Sequence, residues 1–121
     1  MPEDQIKALL HRLNESAPGI EASLLMSSDG SIISSALSED ITDDDLGAML
    51  SMLLSLGKHM AASIIRGDFE QATICGKTGR VLVIPAGSDA ALWTITSNLT
   101  SAETLFQSAS PAAKAAAGLL H

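Results

Sequence analysis

Residues 46–65 carry more apolar surface than one face of a sheet can cover, and that surplus limits what the chain can fold into. At about 100° per residue, Leu46, Leu50, Leu53, Gly57, Met60, Ala61 and Ile64 fall on one helical stripe. Met49, Met52 and Leu56 widen it on one flank, and Leu54 and Ile65 on the other. The apolar arc then reaches roughly 200°, about twice the width a helix needs to cover one sheet face. Ala48, Ser51, Ser55, Lys58, Ala62 and Arg66 mark the solvent side. A helix of this kind packs against two surfaces. The chain has 121 residues, which suits one domain over 1–121, so the second surface is expected to be another subunit.

The residues around this helix punctuate it. Thr42 offers an N-cap hydroxyl, and Asp43, Asp44 and Asp45 put negative charge at the positive end of the helix dipole. Gly67-Asp68 closes the helix after Arg66 with a C-cap glycine. Upstream, Ile6, Leu9, Leu10 and Leu13 predict a short amphipathic helix over 3–14, ended by Pro18-Gly19. Residues 20–27 alternate, with Ile20, Ala22, Leu24 and Met26 on one face and Glu21, Ser23 and Ser27 on the other. Asp29-Gly30 predicts a two-residue hairpin turn, because both positions tolerate positive φ, leading into a second strand over 31–37.

Downstream, residues 69–75 read as a third strand and Gly76-Lys77-Thr78-Gly79 as a turn. Val81-Leu82-Val83-Ile84 is the unbroken apolar run of a central strand over 80–85, and a fifth strand over 90–97 carries Trp93. Ser101 or Thr100 caps a last helix, which kinks or restarts at Ser110-Pro111 and continues Ala-rich through Leu120. The order is α-β-β-α-β-β-β-α. It implies an α+β fold: a five-stranded antiparallel sheet with the long helix on one face and the two terminal helices on the other.

Composition narrows the function classes. Two Phe, one Trp and no Tyr leave an aliphatic core in which five Met fill gaps. With so few aromatics and a net charge of −7, the chain lacks the basic surface and stacking platforms of a nucleic-acid binder. The acid is uneven: residues 1–45 hold ten Asp/Glu against Lys7 and Arg12, and residues 46–121 hold four acids against five bases. Such asymmetry either steers a basic partner or only solvates a surface. Cys75 stands alone, so neither an intramolecular disulfide nor a cysteine-based metal site is available, which fits a reducing compartment. Residues 1–14 lack a signal peptide's basic start and apolar run, and no stretch approaches the roughly 20 apolar residues of a membrane span. A cytoplasmic protein without membrane insertion is expected.

No chemical motif is complete. The acidic residues Glu39, Asp40, Asp43, Asp44 and Asp45 lack the order of a calcium loop and read as dipole stabilisation and solvation, with partner docking as the alternative. Gly76-Lys77-Thr78-Gly79 is followed by a strand, whereas a phosphate loop opens a helix. Cys75, His11 and His59 fall on a strand and two separate helices, with no third member to orient a base. His59, on the rim of the long helix, is structural or touches a partner helix. Met49, Met52 and Met60 suit core or dimer packing, or a malleable docking surface. Lys77 and Arg80 read as solvated hairpin charges rather than a finger supplied in trans.

Several of these features recur in a fixed order over residues 3–110. They are Gly19-Ile20-Glu21-Ala22, the Ser28-Asp29-Gly30 turn, the long helix ending at Gly67, and the hairpin from Gly76 to Ile84. Asp89 followed by Leu92 and a closing helix completes the set. In that order and spacing the chain resembles the roadblock (dynein light chain) family. The resemblance implies a homodimer whose third strands pair edge to edge in a ten-stranded sheet, with the two long helices side by side on one face. It also implies a non-catalytic partner of small Ras-like GTPases, as in bacterial polarity systems, or an adaptor on dynein. The Ala-rich tail after Pro111 departs from the commoner family ending.

These readings converge on one expectation. A bare third strand would leave a row of unpaired backbone groups, which pairing across a two-fold axis satisfies while the surplus flank of the long helix is buried alongside. The expected interface comprises Met49, Met52, Leu56, His59, Phe69, Gln71, Thr73 and Cys75, with the Leu54/Ile65 flank as the alternative to the Met flank. The expected function is a non-enzymatic, cofactor-free and metal-free scaffold or regulator of a small GTPase. The rivals are a small-molecule-sensing signalling module, which needs a pocket with convergent polar groups, a dimeric motor or cargo adaptor, and more distantly an enzyme.

Overall fold

The alternating and apolar runs become five strands, and the three amphipathic segments become helices on the two sides of them. The computed structural model describes residues 2–17, 19–37, 46–97 and 101–120. Its elements are α1 (Pro2–Ser16), β1 (Ile20–Ser27), β2 (Ile32–Ala36), α2 (Leu46–Met60) with a π-helical extension (Ala61–Ile65), β3 (Ala72–Cys75), β4 (Gly79–Pro85), β5 (Ala90–Ser97) and α3 (Ala102–Leu120). The strands form one sheet in the order β2-β1-β5-β4-β3, and every neighbouring pair is antiparallel. The α+β architecture expected from the sequence is the one observed.

Two cores flank the sheet. Ile6, Leu10 and Leu13 of α1 and Leu105, Ala109 and Ala116 of α3 bury with Leu25, Leu82, Ile84 and Leu92 on one face. Leu50 and Leu54 of α2 bury with Leu24, Met26, Val83, Ala91 and Trp93 on the other. A sheet covered on both sides has little use for a polar face. Ser23, on the polar side of the alternation, is buried, and its hydroxyl donates to the Leu10 carbonyl at 3.3 Å. Ile20 also changes sides. A bulge sets Ile20 opposite Thr96 but Ala22 opposite Ile95, and the extra residue turns Ile20 toward α1 and α3, away from Leu24 and Met26.

The first hairpin turns differently from the two-residue expectation. Only Gly30 takes positive φ, at 94°, and Asp29 does not. The Ser27 N–H donates to the Ser31 carbonyl at 2.8 Å and the Gly30 N–H to the Ser27 carbonyl at 3.0 Å, which closes a three-residue loop. The Asp29 carboxylate fixes it by accepting from the Ser27 hydroxyl and from the Ser31 N–H.

β3 is shorter than the strand expected over 69–75. Ala72 pairs with Val83 and Cys75 with Arg80, and residues 69–71 stay outside the ladder. Extending that register would set Glu70 opposite Pro85, which has no N–H. The ladder stops where β4 has no donor to offer.

Both long helices end or continue against expectation. α2 passes into one π-helical turn and stops at Arg66, which takes the left-handed conformation (φ 65°) in place of Gly67. The Gly67 N–H then reaches the Ala61 carbonyl at 3.1 Å. α3 neither restarts nor breaks at Pro111, running as one helix from Ala102 to Leu120. Pro111 and Gln107 are exposed, so the carbonyl that loses its donor faces water. Beyond it Ala112, Ala113 and Ala116 are buried in the α1 core, which gives the Ala-rich tail its packing role. Ser101 is the N-cap, its hydroxyl accepting from the Thr104 N–H at 3.1 Å. The Thr42 cap, the acidic residues 39–45 and Thr100 lie outside the described residues.

Candidate partner-binding face

α2 resolves the two flanks of the apolar arc. Leu50 and Leu54 are buried on the sheet, with Leu46 and Leu53 packed against the same core, and Ala61 is buried farther along the helix. Leu54 is only 4% exposed, so at Leu54 that flank belongs to the sheet. Met49, Met52 and Leu56 face outward, Met52 at 73% exposure. Met60 and Ile64, which the helical wheel puts on the central stripe, are exposed as well, and so is Ile65. The buried line therefore runs closer to Leu54 than the symmetric arc implies. The unpartnered surface runs along the Met flank to the C-terminal end of the helix.

Leu46–Ile65 has 20 residues and a mean hydropathy of 1.4, enough by length and composition to cross a membrane. This corrects the expectation that no stretch comes near that length. The serines at 51, 55 and 63 had broken up the apolar count without lowering the average far. Here the helix lies on a sheet through Leu50 and Leu54.

At the sheet edge, the eight residues expected in an interface divide. Gln71, Thr73 and Cys75 are exposed, as are Met49, Met52, Leu56 and His59 on α2. Phe69 is different: it is half-buried and packs into the core beneath α2. A Cβ on Gly57 would stand 2.9 Å from the Phe69 Cε1, so the ring occupies the space a side chain at 57 would need. Within β3, Thr73 pairs with Leu82, which faces α1 and α3, whereas Ile74 pairs with Val81, which faces α2. Thr73 and Cys75 thus project to the opposite sheet face from Met49, Met52 and Leu56. The two groups can join only through the backbone edge of β3. Ile74, 50% exposed on the α2 side, is the apolar edge residue that the sequence reading passed over. The alternation chosen there followed the odd positions, and Ile74 is even.

Charge on the helix is of one sign. Residues 46–65 hold Lys58 in the last turn of α2 and no acid, which suits the negative end of its dipole. A cleft of about 570 Å³ opens along the outer face between Ser51, Met52, Ser55, Leu56 and His59. Another of about 570 Å³ lies between Lys58, Ala62, residues 67–69 and the β4–β5 turn. Both open to solvent. Among the described residues no group of His, Cys, Asp and Glu is placed to hold a metal ion. His11 on α1 and His59 on α2 sit on opposite faces of the sheet, so Cys75 does not meet both.

The arrangement matches known proteins. The Roadblock/LC7 domain profile matches residues 6–96, from α1 through β5. Protein MJ0310 of Methanocaldococcus jannaschii is 34% identical over 82 residues, covering 68% of this chain and 71% of that protein. A Roadblock/LC7 domain from Streptomyces avermitilis superposes with a TM-score of 0.85 at 25% identity, covering 94% of this chain and 96% of that one. Myxococcus xanthus MglB superposes with a TM-score of 0.88 at 21% identity, covering 98% of this chain and 89% of that one, and so shares the fold through α3.

Proposed function

Starting from a chain that belongs to the Roadblock/LC7 domain family, we propose that it is a non-catalytic, homodimeric scaffold or regulator of a small Ras-like GTPase in the cytoplasm. The observation that carries this reading is the exposed apolar row of Met49, Met52, Leu56 and Met60 on α2, on the same sheet face as Ile74. Apolar surface left in water costs about 25 cal/mol per Å², and contiguous exposed patches of large apolar residues mark interaction sites. A second copy satisfies both demands at once. Pairing of two β3 edges uses the open ladder groups, and the Met flanks of the two α2 helices come to lie side by side.

In that dimer Met49, Met52, Leu56 and His59 form the helix seam, and Gln71, Thr73 and Cys75 flank the paired edges. Met60, Ile64, Ile65 and Ile74 extend the seam. The polar flank of α2, with Ser51, Ser55 and Lys58, stays open for a partner. The GTPase itself rests on family resemblance, to which the MglB-like fold adds support. Among the described residues, the clefts beside α2 open to solvent, which does not favour a small-molecule sensor.

The test is a pull-down and turnover assay against candidate small GTPases in both nucleotide states. Binding that depends on the nucleotide, or a changed rate of hydrolysis or exchange, is expected. A dimer that leaves every candidate unbound and unaffected would leave an adaptor role in place of GTPase regulation.

A further inference from the structure

Phe69 lies between the two surfaces that the proposed dimer uses. On one side its ring fills the space over Gly57, where an added Cβ would stand 2.9 Å from Cε1 and 3.5 Å from Cδ1. On the other side the chain runs from Phe69 through Glu70 and Gln71 directly into the open edge β3. Those residues have no ladder on β4, because Pro85, whose position would face Glu70, lacks an N–H. With no hydrogen bonds to β4, the approach to β3 is held from the helix side by the Phe69 ring. Four residues past Gly57, α2 passes into its π-helical turn (Ala61–Ile65) and ends at the left-handed Arg66, so the segment beyond Gly57 departs from regular α-helix.

We infer that Phe69 couples the β3 edge to the C-terminal half of α2, so that pairing of β3 with a second copy fixes residues 57–65, and displacing those residues loosens the edge. The inference rests on the homodimer reading. Its consequence is linkage. A partner docked on the open polar flank of α2 and the second copy paired with β3 would influence each other's affinity through one aromatic contact, by equal factors in both directions. Phe69 is in this sense a positioning residue, acting from beneath the interface.

The experiment compares the unmodified chain with Gly57→Ala, Phe69→Leu and the double variant by sedimentation over a dilution series and by hydrogen exchange. Gly57→Ala adds the methyl for which the ring leaves no room while favouring the helix itself, so the fold is retained. It is expected to weaken self-association by about tenfold or more and to speed exchange at 72–75. Phe69→Leu in the Gly57→Ala background makes room for the methyl and is expected to restore most of the lost association.

Unchanged association and exchange in Gly57→Ala would overturn the coupling, as would a double variant no better than Gly57→Ala. If the unmodified chain is monomeric at every concentration, the homodimer reading fails. The coupling is then decided by exchange at 72–75 alone: faster in Gly57→Ala supports it, and unchanged overturns it.

Discussion

Trp93 stands opposite Val83 across the β4–β5 ladder, and both side chains are fully buried beneath α2. On its other side Trp93 pairs with Leu24, so the one tryptophan of the chain sits mid-sheet in the core that α2 covers. Its indole Nε1 is buried without a hydrogen-bond partner among the described residues. The ring is therefore there for its bulk.

Trp93→Phe is expected to cost only about 1 kcal/mol of unfolding free energy, because the lost volume is partly offset by removing an unsatisfied donor. Trp93→Ala, which removes the volume outright, is expected to cost about 3–5 kcal/mol. Urea unfolding followed by circular dichroism measures both. Equal costs for the two would show that the indole N–H matters and the bulk does not.

The β1–β2 turn makes a prediction about pH. The Ser27 hydroxyl, and after it the Ser31 N–H, hold the Asp29 carboxyl below its ordinary value of 3.8. The folded state favours the ionised form, so this contribution is fully present above the unfolded value and is lost as pH falls through the depressed folded one. Ser27→Ala should raise the Asp29 pKa toward 3.8, read by carboxyl-carbon NMR titration. A titration curve unmoved by the substitution would mean that the hydroxyl does not hold the carboxylate.

Pro111 lies inside α3 with its ring exposed, at a point where the helix gives up one backbone hydrogen bond. Pro111→Ala should restore that bond and raise stability by about 1–3 kcal/mol, seen as a higher thermal midpoint. A lower midpoint would indicate that the ring contributes packing its exposure does not suggest.

The element order was legible in the sequence because each element carries its own local signal. The alternation of residues 20–27, the run Val81-Leu82-Val83-Ile84 and the spacing of Ile6, Leu10 and Leu13 needed no tertiary information. What was not legible depended on a neighbour. Ile20 changed faces because of a bulge against β5, and β3 lost its first three residues because Pro85, far along the chain, cannot donate. Pro111 read as a break, since local propensity does not show that Ala112, Ala113 and Ala116 beyond it bury against α1. The candidate face was legible as a surplus of apolar width on residues 46–65. The choice of flank was not, because Leu54 and Met52 are equally apolar and only the position of the sheet separates them.

Self-association through the Met flank and the β3 edge is the claim on which the rest depends, and the mass of the chain in solution tests it most directly. Sedimentation equilibrium over a dilution series should give a species of twice the 12.5 kDa chain mass. Met52→Glu, which places a charge in the seam without touching the sheet core, should shift that species toward monomer by about tenfold or more in dissociation constant. A single 12.5 kDa species at every concentration, unaffected by Met52→Glu, would contradict the account.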